Sequence, residues 1–63
     1  MSIQEKVLKA RLQLHLTQVE FAKKLGVGVA TICRWESGIS KPSKLKEYEF
    51  EEFCKKNNIK FED

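Results

Sequence analysis

Arg34 is the residue of this chain best suited to do chemistry, and its neighbours indicate which kind. It lies in GVGVATICRWESG, residues 26–38, where Ile32 and Trp35 recur at helical spacing. With Ile32 at the centre of the buried side and about 100° per residue, Trp35 and Glu36 fall within about 60° of it, whereas Ala30 and Arg34 lie almost opposite. Thr31 and Cys33 flank the outer side. The first turn therefore shows Val29, Ala30 and Thr31, small enough to let the helix approach another surface closely, and Arg34 reaches out one turn later.

A helix of that width fits the major groove of a DNA duplex. A guanidinium donates two hydrogen bonds to guanine O6 and N7 there, and small apolar side chains suit a thymine methyl. Arg34 is thus the first candidate for reading a base, the plainer alternative being an exposed Arg that only solubilises its helix. Trp35, so near the buried side, is expected to pack rather than stack on a base. Cys33 and Cys54, with no CxxC pair and the single histidine His15, give neither a disulfide framework nor a zinc site. Both read as small, half-buried side chains, and His15 as structural. No Cys–His or Ser–His arrangement, phosphate loop or paired-acid site stands at informative spacing, so no enzyme, metal or cofactor is expected.

Four helical segments must position these residues. From Ser2 to about Leu14 there is no Gly or Pro, and Ile3, Val7, Ala10 and Leu14 form one stripe. His15 is the candidate left-handed residue that ends this helix. TQVE then reads as a capping box between Thr17 and Glu20, opening a second helix over about 17–25 that Gly26 closes. Only GVG separates it from the third, about 28–37, with Gly28 as N-cap and Gly38 as terminator. So short a link is the mark of a helix-turn-helix pair sharing an apolar corner at Val27.

Ser43 is the N-cap of a fourth helix running to Asn57 and Asn58, either continuous or broken near Tyr48. Its aromatic residues are the awkward part. Leu45, Tyr48 and Phe53 share a broad inward side, and Phe50, about 140° from Leu45, is expected to stay outside it, unless a kink buries everything. Exposed aromatic surface of that kind suits a dimer interface or a protein partner. Ile59 and Phe61 alternate as in a strand but are too few to assign.

Charge is unevenly spread. Residues 1–46 hold nine Lys/Arg against three acids, and residues 47–63 three Lys against six acids, giving a basic body of +6 and an acidic tail of −3. A basic body fits a polyanion, or simply a solvated surface. Neither a signal-peptide pattern nor a membrane-length apolar run is present, which leads us to expect a soluble, cytoplasmic chain forming a single domain over 1–63.

The span LTQVEFAKKLGVGVATICRWESGISKP, residues 16–42, resembles the lambda-repressor-like (XRE-type) helix-turn-helix family, which includes phage repressors, Cro proteins and many small bacterial regulators. The resemblance implies an all-α, compact four-helix domain, with five helices as the alternative. It assigns Val29, Ala30 and Arg34 to bases, Thr31 to backbone or base edge, and Gln18, Lys41 and Lys44 to phosphates. It also pairs Arg11 with Glu36 as scaffold. The chain departs from the family in carrying Val29 and Ala30 where many relatives have Gln or Ser, which narrows hydrogen-bonded readout to Thr31 and Arg34 and shifts weight to DNA shape.

The implied function is a sequence-specific, double-stranded DNA-binding regulator, repressor or Cro-like, bound as a homodimer to an inverted-repeat operator and associated with the nucleoid. The competing reading is an antitoxin-like or adaptor module that works through its aromatic, acidic C-terminal segment.

Overall fold

The computed structural model describes residues 1–62, leaving Asp63 outside the description. It contains α1 (Ile3–Gln13), α2 (Gln18–Leu25), α3 (Val29–Ser37) and α4 (Lys44–Lys56), with no strand among the described residues. The Ile59–Phe61 segment is therefore not a strand. The body measures 25 × 21 × 19 Å.

Helix starts are fixed by side chains that satisfy free backbone amides. The Thr17 hydroxyl accepts from the Glu20 amide at 3.1 Å, while the Thr17 amide donates to Glu20 Oε1 at 2.8 Å. The same reciprocal pair joins Ser2 and Glu5 at the head of α1, a box spelled by SIQE. Ser43 caps α4 by accepting from the Lys46 amide at 3.3 Å, and Gly28 starts α3 without a side-chain cap.

Helix ends share one device. His15, Gly26, Gly38 and Asn58 all have positive φ, of 56°, 73°, 81° and 56°. The residue after each donates its amide to a carbonyl five positions back: Leu16 to Arg11, Val27 to Ala22, Ile39 to Arg34 and Ile59 to Cys54. These are Schellman ends, in which an apolar residue follows the left-handed one and packs back on the helix. Leu16, Val27 and Ile59 lie on the core, whereas Ile39 is 77% exposed. At Gly38 the close approach is steric as well, because an added Cβ would lie 2.7 Å from Gln4 Oε1.

Each helix contributes two buried side chains to the core: Val7 and Ala10, Phe21 and Ala22, Ile32 and Trp35, Phe50 and Cys54, closed by Ile59. Phe53 stands edge-on to Phe21, with ring centroids 5.7 Å apart. Trp35 is buried, in keeping with a packing role.

The fourth helix reverses the expectation for Phe50 and Tyr48, while Phe53 faces inward as expected. It is continuous, and Phe50 is completely buried while Leu45 and Tyr48 are largely exposed. The cause lies beyond the helix. Ile59 and Phe61 fold back onto it, Phe61 lies 6.5 Å from Phe50, and the Gln13 amide ties the segment to α1 by donating to the Lys60 carbonyl at 2.8 Å. This returning segment covers the Phe50–Cys54 side, so the stripe drawn through Leu45 and Tyr48 faces solvent. The cysteines also part company: Cys33 is exposed, and Cys54 is buried, its thiol pushed up to about 11 by desolvation.

Two outcomes follow. Phe50→Ala is expected to cost about 3–5 kcal/mol in denaturant unfolding, as for a buried aromatic, and Tyr48→Ala to stay within about 0.5 kcal/mol. Hydrogen bonds from Thr17 hold the Glu20 carboxyl below its ordinary value of 4.5, so its contribution is present above that pH and lost as pH falls through the lowered value. Glu20→Gln, which keeps the box, should leave the melting temperature at pH 7 nearly unchanged and lessen its fall in acid.

Candidate nucleic-acid interface

The outer side of α3 is left open by the described residues. Val29, Ala30, Cys33 and Arg34 are exposed and Thr31 is half-buried. Among the described residues the Arg34 guanidinium makes no hydrogen bond or ion pair, which leaves all its donors for a ligand. Lys41 and Lys44 are exposed in the loop after α3 and at the first residue of α4, and neither is paired among the described residues. Gln18, the first residue of α2, is half-buried.

What holds this face in place is an ion pair beneath it. Arg11 Nε donates to Glu36 Oε2 at 2.7 Å and Arg11 Nη2 to Glu36 Oε1 at 3.0 Å, with side chains only 16% and 8% exposed. This two-pronged contact ties α1 to the end of α3 with defined direction as well as attraction. Arg11 Nη1 donates to the Leu16 carbonyl at 3.0 Å, so the same guanidinium also fixes the link into α2. Its hydrogen bonds to Glu36 raise the Arg11 pKa above its ordinary value, which keeps the group charged at any pH of interest.

Two contributors were not singled out from the sequence. Gln4 Nε2 donates to the Glu36 carbonyl at 3.0 Å and presses against Gly38, clamping the end of α3 from outside. The signal for it was its spacing, since positions 4 and 11 are two turns apart on one side of α1. Cys33 is the other: its thiol donates to Gln18 Oε1 at 3.1 Å across the α2–α3 corner. Nothing in the spacing of a lone cysteine announces that bond.

Three helices thus position a small-residue face with an exposed arginine, two exposed lysines behind it and a helix start beside it. A family model for the helix-turn-helix matches residues 7–54. The chain belongs to the lambda-repressor-like helix-turn-helix family of DNA-binding regulators. That match spans the capped turn, the whole of α3 and the Arg11–Glu36 pair. No curated protein and no solved structure matches the chain. Among the described residues no helix is long and apolar enough to cross a membrane, and no group of His, Cys, Asp or Glu is arranged to hold a metal ion.

The ion pair is testable by charge exchange. Arg11→Glu and Glu36→Arg alone should each be destabilising, approaching about 3 kcal/mol, the low end for breaking a buried pair, because this pair is partly buried. The double exchange should recover part of that loss in denaturant unfolding, and no recovery would mean that the two residues do not act on each other.

Proposed function

We propose that this chain is a sequence-specific transcriptional regulator of the repressor or Cro-like type, which lays α3 in the major groove. The observation that carries the reading is the free guanidinium of Arg34 beside the exposed, small side chains of Val29 and Ala30. Arg34 donates to a guanine, Val29 and Ala30 meet thymine methyls, and Thr31 contacts backbone or base edge. Gln18, Lys41 and Lys44 take phosphates, Gln18 with the amides at the start of α2, where the helix dipole favours an anion. Arg11 and Glu36 serve as scaffold.

In this reading two copies bind an inverted repeat, with their third helices in successive major grooves about 34 Å apart. A body 25 × 21 × 19 Å is small enough for two copies to lie side by side at that spacing. The exposed Leu45 and Tyr48 on α4 supply apolar surface for self-association. The regulator acts in the cytoplasm, associated with the nucleoid. The same two residues, next to the acids Glu49 and Glu52, are what favours the second reading, an adaptor or antitoxin-like module that binds a protein through α4.

Selection of bound sites from random duplexes separates the two: an enriched palindrome supports the regulator, and weak, sequence-indifferent binding supports the module. On the selected site, Arg34→Ala should lose about 1–3 kcal/mol of discrimination at one base pair of each half-site. Lys41→Ala and Lys44→Ala should weaken all sequences alike and lower the slope of log affinity against log salt by about one each per bound copy. Unchanged specificity in the Arg34 variant would remove that residue from the reading set.

A further inference from the structure

The Gln18 carboxamide is held at both ends. Its Nε2 donates to Glu36 Oε1 at 3.1 Å, and its Oε1 accepts from Cys33 Sγ at 3.1 Å. The Glu36 oxygen it meets is the one that also accepts from Arg11 Nη2. Both partners sit on α3, three residues apart, and face the first residue of α2.

A carboxamide presents a donor on one side and an acceptor on the other, and turning it over exchanges them. A carboxylate only accepts, and the thiol hydrogen here is donated. The two partners together therefore allow one orientation of the amide. Its nitrogen carries two hydrogens, of which Glu36 takes one; the other is left in a direction fixed by the clamp.

We propose that Glu36 and Cys33 are positioning residues for Gln18, setting its remaining amide hydrogen at the head of α2 for a phosphate oxygen of the DNA backbone. What Gln18 touches rests on the DNA-binding reading above, whereas the clamp is a property of the free protein. Glu36 thereby has two tasks, one toward Arg11 and one toward the ligand. The Cys33 thiol adds the second anchor without itself meeting the DNA.

Variants at Cys33 isolate the positioning role, because the side chain is exposed and alanine suits a helix. Affinity is measured by fluorescence anisotropy at fixed salt on a duplex of about 20 base pairs carrying the selected site, or on a random duplex of that length at low salt if none is selected. Cys33→Ala is expected to weaken binding roughly three- to tenfold, the worth of one hydrogen bond, with an unchanged melting temperature, and Cys33→Ser to restore it. In a Gln18→Ala background, Cys33→Ala should have no further effect. An effect that persists undiminished there would overturn the proposal, since Cys33 would then act by itself.

A readout without DNA keeps the clamp separate from the functional reading. The Gln18 side-chain amide resonances in a nitrogen–proton correlation spectrum should move in Cys33→Ala and return toward their original positions in Cys33→Ser. Resonances that do not move in Cys33→Ala would overturn the clamp whether or not any duplex binds. Loss of all DNA binding by the unaltered protein, with the resonances moving as expected, would instead sink the DNA reading and leave the clamp standing.

Discussion

A single guanidinium sets the geometry on which the rest depends. Arg11 reaches from α1 to both oxygens of Glu36 on α3 and to the Leu16 carbonyl before α2, so three elements are referred to one rigid, planar group. An ion pair withdrawn this far from solvent is a poor source of net stability, because desolvation of the two charges offsets much of their attraction. Its value is directional. Apolar packing of Ile32 and Trp35 tolerates some rotation of α3, but a two-pronged hydrogen bond at its last turn does not. Gln4 and Gly38 close the same turn from the other side.

The remaining stability is spread thinly, as a chain of this size requires. Two side chains per helix make a core with little to spare, and the helices are only 8 to 13 residues long. Helices so short are marginal by themselves. Capping boxes at two starts and Schellman ends on all four helices satisfy the backbone groups that would otherwise be left over. The apolar residue after each end packs on the core in three cases, so termination and packing are one event there. Ile39 is the exception, exposed at the end of α3.

How much of this was legible in the sequence depended on how local the determining physics was. Thr17–Glu20, Gly26, Gly38, His15 and Ser43 act within a few residues, and each took the backbone role its type implied. The buried side of α3 followed from Ile32 and Trp35, because both apolar residues lie on one stripe. The fourth helix misled because its apolar residues lie on two sides, and the choice between them is made by Ile59, Phe61 and the Gln13–Lys60 tether rather than within the helix. Cys33 illustrates another limit. Its bond to Gln18 depends on the crossing of α2 and α3, which no spacing along either helix encodes.

The central claim is that α3 meets DNA with the side opposite Ile32. Titrating the isotope-labelled protein with duplex DNA at low salt, and mapping the backbone amide shifts in a nitrogen–proton correlation spectrum, tests it most directly. Docking of that side predicts the largest changes at Gln18, Val29–Arg34 and Lys41, with smaller changes at Leu45 and Tyr48 where a second copy packs. Changes on α4 with none on α3, or none anywhere at any duplex concentration, would contradict it.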